Sequence, residues 1–174
     1  MRAPVTARDV ALVGMMVAMI EACKFCMAAL PNLELTSFWV ILFTLTFGRR
    51  VWFVIPVFTL LEGLVYGFGM WWFMYLYAWP ALALVTWLMR DMDSPVGWAT
   101  VSGIFGLLFG ALCSIPYGVL GAVDGLGSGL RAAFAWWVAG IPFDLIHCAG
   151  NFALMLALYR PVRRAMERAL GAPL

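Results

Sequence analysis

The sequence predicts an all-α membrane protein, a six-transmembrane-helix bundle with both termini in the cytoplasm. Of its 174 residues, 65% are hydrophobic and only 11% are charged. A soluble domain carries about 25% charged residues, so this composition cannot supply a water-exposed surface. A second observation is that arginine lies almost entirely in alternate loops. We expect a single integral-membrane domain over residues 1–174, crossing a cell membrane several times.

Residues that interrupt a helix separate the predicted spans. The first span ends before Pro31, the second at Gly48 and the third at the turn around Gly67. A charged segment ends the fourth, and a glycine-rich loop at 124–129 precedes the sixth. The second segment is shorter than the roughly 20 residues of a spanning helix, so we expect it to be tilted or shielded by neighbours. The spans cover about 9–30, 35–48, 51–67, 70–89, 96–121 and 131–159.

The arginines set the orientation. In a six-span arrangement, nine arginines lie on one side and only Arg131 lies in a loop on the other side. Loops rich in Lys and Arg stay in the cytoplasm, which places both termini there and requires an even number of spans. The nine are Arg2, Arg8, Arg49, Arg50, Arg90, Arg160, Arg163, Arg164 and Arg168.

With this orientation, polar side chains gather in the outer half of five spans. In the sixth span, Asp144, His147 and Asn151 share one helix face because they are three and four residues apart. Polar groups in hydrocarbon are costly and usually functional. A layer at one depth predicts an outward-facing pocket, in which aromatic faces stack on a flat polar solute. The predicted pocket residues are Glu21, Lys24, Asn32, Glu34, Glu62, Tyr66, Trp72, Tyr75, Trp79, Tyr117, Asp144, His147 and Asn151.

The same residues fit simpler interpretations. The aromatic residues of the fourth span also suit an interfacial belt, and Glu21 and Lys24 are spaced to neutralise each other. The four cysteines lie in apolar runs, and Cys23-x-x-Cys26 has no second matched pair. We therefore expect buried thiols and no metal site.

Small residues recur at every fourth position in the first and fifth spans, a spacing that lets helices approach closely. We expect the fifth-span stripe to pack inside the bundle. The first-span stripe fits either internal packing or a flat face for another membrane protein. The stripes are Gly14, Ala18 and Ala22 in the first span, and Gly106, Gly110, Ser114 and Gly118 in the fifth.

Taken together, these features resemble the substrate-binding S components of energy-coupling factor (ECF) transporters. The likeness covers essentially the whole chain. It rests on six short-looped spans, the Gly14, Ala18 and Ala22 stripe, the segments 47–50, 67–72 and 75–77, and the segment 140–147 with Gly150 and Asn151.

The resemblance implies a transport subunit and not an enzyme. An S component captures a vitamin, vitamin precursor or similar micronutrient and docks, here through Gly14, Ala18 and Ala22, on a T component with two cytoplasmic ATPases. The chain has no P-loop pattern, so the partner ATPases would use the ATP, and no cofactor or nucleic acid is expected in this chain. Thiamin-like and pyrimidine-like compounds, other B vitamins, and cobalamin or its precursors all fit as solutes.

Two other functions stay open. Asp144 and His147 suit an acid–base pair in a small membrane enzyme, although no nucleophile motif accompanies them. Alternatively, the chain is a structural or assembly protein in which the polar groups tie helices together.

Overall fold

In the computed structural model, residues 6–171 are described, and all regular structure among them is helical. This confirms the predicted all-α class. The α-helices are α1 (Ala7–Met27), α2 (Thr36–Phe47), α3 (Val51–Tyr66), α4 (Met70–Leu88), α5 (Pro95–Gly121) and α6 (Leu126–Leu170), with 3-10 turns at Gly48–Arg50 and Ala122–Asp124.

Within residues 6–171, four helical stretches are long and apolar enough to cross a membrane, where the sequence pattern predicts six spans. They are Ala7–Met27, Thr36–Tyr66, Pro95–Asp124 and Leu126–Leu170. The predicted second and third spans form one 31-residue stretch because α2, with 12 residues, continues through a 3-10 turn into α3. The 19-residue α4 is rich in Trp and Tyr, which lower its mean hydropathy.

Helix α2 lies at the centre of the packing. Its residues from Thr36 to Thr44 are all buried, which agrees with the expectation that neighbours shield this short segment. It contacts every other α-helix, and the buried core also holds large side chains of other helices, among them Trp79, Trp98 and Tyr159, each at most 2% exposed. The core therefore forms around a helix that is apolar on every side.

Helix α6 differs most from the expectation. It has 45 residues, begins inside the predicted glycine-rich loop and continues past the predicted end at residue 159. Gly129 is helical because it packs so closely on Ala122 that an added Cβ would lie 2.9 Å from the Cβ of that residue. This packing outweighs the cost of about 1 kcal/mol for glycine in a helix. At about 1.5 Å per residue, α6 is longer than the hydrocarbon layer is thick, about 30 Å.

The two small-residue stripes have different surroundings. The stripe of α5 packs on α6: a Cβ on Gly106 would lie 2.9 Å from the backbone oxygen of His147, and one on Gly118 would lie 3.0 Å from Ala133. Gly14, Ala18 and Ala22 of α1 are all exposed, and a Cβ on Gly14 would meet nothing within 4 Å. Internal packing therefore explains the α5 stripe and leaves the α1 stripe free.

This difference makes Gly106→Ala and Gly14→Ala a matched pair. At Gly106 the added methyl group must push α5 away from the α6 backbone, so we expect the free energy of unfolding to fall by about 1–3 kcal/mol. At Gly14 the same change should be neutral or stabilising by up to about 1 kcal/mol. Denaturant unfolding of the two variants in the same detergent checks the prediction, and equal effects would contradict it.

Arg50 and Arg163, two arginines of the predicted cytoplasmic side, form ion pairs at the end of the helices that holds the start of α1 and the loop before α5. Arg50 Nε lies 2.9 Å from Asp9 Oδ1, which joins the start of α1 to the turn before α3. Arg163 Nη1 lies 2.6 Å from Asp93 Oδ1, which joins α6 to the loop before α5. Arg2 lies outside the described residues.

Candidate functional site

At the opposite end of the helices, polar and aromatic side chains converge from α1, α3, α4, α5 and α6 and from the loop at 28–35. We call this group the polar–aromatic cluster. It consists of Glu21, Lys24, Glu34, Phe58, Glu62, Tyr75, Trp79, Phe109, Asp144, His147 and Asn151, joined by the contacts described below.

Glu34 anchors the cluster at the start of α2. Its carboxylate accepts hydrogen bonds from the backbone N–H groups of Thr36 and Ser37 and from the Ser37 hydroxyl. His147 Nε2 of α6 lies 3.2 Å from Glu34 Oε1. Burial raises the pKa of Glu34, but the hydrogen bonds from His147, Ser37 and Thr36 outweigh it and bring the pKa below the ordinary value of 4.5. Glu34 is therefore a carboxylate at neutral pH.

The shared face of Asp144, His147 and Asn151 is buried, with exposures of 5%, 6% and 2%. Asn151 Nδ2 donates to Ser37 Oγ at 3.1 Å and to the Ser102 carbonyl at 3.4 Å. Asp144 Oδ1 accepts from the backbone N–H of Gly110 at 2.8 Å. These three side chains thus face α2 and α5, and two of them tie helices together.

On the other side of the cluster, the Lys24 ammonium forms an ion pair with Glu62 of α3. The ammonium also lies 5.4 Å from the ring centre of Phe58 and 5.5 Å from those of Tyr66 and Tyr75. Glu21 lies beside Glu62. The charge of Lys24 also acts on Glu21 within α1, so the interpretation that these two neutralise each other describes part of the arrangement, and the ion pair with Glu62 of α3 is the other part.

Aromatic rings connect the two sides. Tyr75 packs edge-on against Trp79 at 5.2 Å, and Trp79 lies 5.9 Å from Phe109. The Phe109 ring in turn lies 4.8 Å from the His147 ring. A continuous series of ring contacts therefore runs from the Lys24 ammonium to His147.

Four predicted pocket residues lie at the margin of the cluster or away from it. Trp72 donates its indole N–H to the Thr59 carbonyl at 2.7 Å, which ties α4 to α3. Tyr66 is 53% exposed and meets the cluster through Lys24. Asn32 has a φ of +60° in the loop that packs on Gly150 through Leu33. Tyr117 stacks on Trp136 at 3.7 Å, beside a separate groove between α5 and α6.

Sequence reasoning missed Phe58, Phe109 and Ser37. The two phenylalanines look like ordinary core residues, since nothing in an apolar helix distinguishes a ring against a polar cluster from any other ring. Ser37 carried a usable signal: it follows Glu34 by three residues at the start of α2, where acceptor side chains cap a helix.

Several buried polar atoms of the cluster have no hydrogen-bond partner within residues 6–171. Each such atom costs free energy unless something else satisfies it, and together they could bind the polar edges of a small solute. In the same part of the chain, no group of three or more His, Cys, Asp or Glu side chains is placed to hold a metal ion. The unpartnered atoms are Oε1 of Glu21, Oε1 of Glu62, Nε1 of Trp79, Oδ2 of Asp144 and Oδ1 of Asn151.

Comparisons of the chain with protein-family models, with curated proteins and with solved structures find no significant match.

Proposed function

We propose that this chain is the substrate-binding S component of an ECF-type importer. It binds a vitamin, vitamin precursor or similar micronutrient in the polar–aromatic cluster and delivers it inward with a T component and two ATPases. The observation that carries the proposal is the convergence of unpartnered polar atoms and aromatic rings at one end of a very apolar helical protein. In hydrocarbon such a group is expensive to maintain without a ligand.

The proposed topology has six spans with both termini in the cytoplasm of a bacterium or archaeon. The ion pairs of Arg50 with Asp9 and of Arg163 with Asp93 support it, because they place these two arginines at the end away from the cluster. In this topology α2 and α3 are two short consecutive spans that cross the membrane in opposite directions, and neighbouring helices shield the buried α2. The cluster opens to the outside, below the loop at 28–35.

The exposed stripe of α1 supports the partner side of the proposal. A helix face of Gly14, Ala18 and Ala22 leaves its backbone accessible to another helix in the membrane. The T component docks on this face, and its ATPases supply the energy for uptake. The chain itself is not an enzyme in this proposal.

An assembly role is the second candidate, because Asp144 and Asn151 do hydrogen-bond to neighbouring helices. In that role, substitutions at these residues would reduce stability and leave uptake unchanged. A binding experiment separates the two functions, since only the transport subunit is stabilised by a solute.

Thermal unfolding of the purified chain with a panel of micronutrients tests the proposal. A solute present at 100 times its dissociation constant should raise the free energy of unfolding by about 2.7 kcal/mol. Asn151→Ala should reduce this gain, whereas Thr100→Ala, which removes an exposed hydroxyl of α5, should not. A folded sample that no micronutrient stabilises would contradict the proposal.

A further inference from the structure

We propose that the solute is an organic cation with a flat ring, and that Lys24 occupies the place of its positive charge while the site is free of solute. The inference rests on the proposed function, since it assigns a substrate class to the same site. Two independent observations carry it: the charge balance of the polar–aromatic cluster, and the surroundings of the Lys24 ammonium.

The cluster has more acidic than basic groups. Four carboxyl side chains lie in it, against one lysine and one histidine. With His147 protonated and all four carboxyls ionised, two negative charges would not be balanced by the protein, and a proton shared between Glu21 and Glu62, which lie within hydrogen-bonding reach of each other, leaves one. Uncompensated charge is costly in a low-dielectric site, and a bound cation reduces the imbalance. The four carboxyls belong to Glu21, Glu34, Glu62 and Asp144.

Glu62 shows that the carboxyl groups of the cluster are not simply surface groups exposed to solvent. It is 1% exposed, and while one carboxylate oxygen pairs with Lys24, the other has no partner within the described residues. Glu21 beside it also has an unpartnered oxygen. A positively charged group between these carboxyls would meet acceptors that are already buried.

The surroundings of the Lys24 ammonium indicate which kind of chemical group would bind at its position. It lies over three aromatic rings at 5.4–5.5 Å from their centres. Ring faces attract cations, and aromatic cages are a common means of binding organic ammonium groups. An ammonium or a charged ring nitrogen would make the same contacts with Phe58, Tyr75 and Glu62.

The Lys24 ammonium can move away from this position when a solute binds. Its side chain is 20% exposed, lies in the last turn of α1, and has a flexible apolar stem that can carry the ammonium to the nearby surface. The rings of Tyr75, Trp79 and Phe109 then provide faces for the flat part of the solute. A carboxylate solute would instead meet Glu21 and Glu62, which repel it.

Binding of three charge classes to the purified full-length chain in nanodiscs tests the inference. The cationic probes are thiamin and 1-methylnicotinamide; the neutral probes are nicotinamide and riboflavin; the anionic probes are nicotinate, biotin and pantothenate. Affinities are measured by calorimetric titration for the wild type and for three variants. Lys24→Met removes the competing charge, Glu62→Gln removes the pairing charge, and Asp91→Asn removes an exposed acid outside the cluster as the control.

We expect a cationic probe to bind at least about tenfold more tightly than any neutral or anionic probe. Lys24→Met should tighten its binding about tenfold, Glu62→Gln should weaken it about tenfold or more, and Asp91→Asn should change it little.

Tightest binding by a neutral or anionic probe would overturn the cation inference and leave the transport proposal standing. So would loss of binding in Lys24→Met, because Lys24 would then be a contact of the solute and not its competitor. If no probe binds to the wild type or to Lys24→Met, the cation inference fails, and the wider micronutrient panel in thermal unfolding decides the transport proposal separately.

Discussion

Replacing Ala18 with Trp is expected to abolish solute uptake while leaving solute binding intact. Ala18 is at the centre of the exposed α1 stripe, and a bulky ring there would prevent close approach of a partner helix. Overpacking of a close contact costs about 1–3 kcal/mol, so uptake should fall roughly tenfold or more. Uptake of labelled solute by cells that also express the partner module measures one effect, and titration of the purified variant measures the other.

The control for this substitution is Leu84→Trp in α4, which enlarges another exposed apolar side chain outside the stripe. It should leave both uptake and binding near wild-type values. Uptake that survives Ala18→Trp, or that falls equally in Leu84→Trp, would show that the α1 stripe is not the docking surface.

Replacing His147 with Ala is expected to weaken solute binding strongly. His147 contacts Glu34 and the Phe109 ring, and its removal leaves a void as well as a carboxylate without this partner. A hydrogen bond between His147 and a charged group of the solute would be worth about 1.5–3 kcal/mol, so its loss would raise the dissociation constant roughly 10- to 150-fold. His147→Gln, which keeps an amide near the same place, should recover part of the affinity.

The same variant should change the pH dependence of stability. In the wild type, the stabilising contribution of Glu34 is complete above 4.5, its ordinary pKa, and is lost as the pH falls through the lower pKa of the folded state. Without His147, burial is less opposed and this folded-state pKa rises. Glu34 then contributes less stability above pH 4.5, so in unfolding measurements at decreasing pH His147→Ala should lose less stability than the wild type as the pH falls below 4.5. If His147→Ala changed neither the affinity for the solute nor the loss of stability at low pH, the role given to His147 would be contradicted.

His147→Ala also bears on the enzyme interpretation of Asp144 and His147. An enzyme would lose turnover in this variant and keep its affinity for the substrate. A binding subunit has no turnover to lose, so the affinity itself should change.

Much of the helical arrangement follows from local sequence signals. Ser94 and Pro95 start α5 where a capping residue and a first-turn proline predict a helix. α3 ends before Gly67, whose φ of +89° favours glycine. The ends of α6 could not be predicted from local signals. Gly129 and Pro161 are locally unfavourable in a helix, and they are helical here because they belong to a longer packed element. Trp and Tyr lower the mean hydropathy of α4. Whether α4 counts as a membrane span therefore depends on how apolar these two residue types are taken to be.

The candidate site was predictable where one helix carries the pattern. Asp144, His147 and Asn151 share a buried face as their spacing indicates. Pairings between helices were not predictable, because they depend on how α1 and α3 rotate about their axes. The ion pair of Lys24 with Glu62 is an example. Tyr117 shows the same limit, since its depth suits the pocket but its direction places it on Trp136.

The central claim is that a solute binds in the polar–aromatic cluster. The most direct test is an experimental structure of the chain with the micronutrient that stabilises it best. We predict density between Glu62, Tyr75 and His147, with the solute in contact with atoms that have no protein partner in the structure described above. Density in the groove beside Tyr117 and Trp136, with the contacts of Lys24, Glu34 and His147 unchanged, would contradict the account.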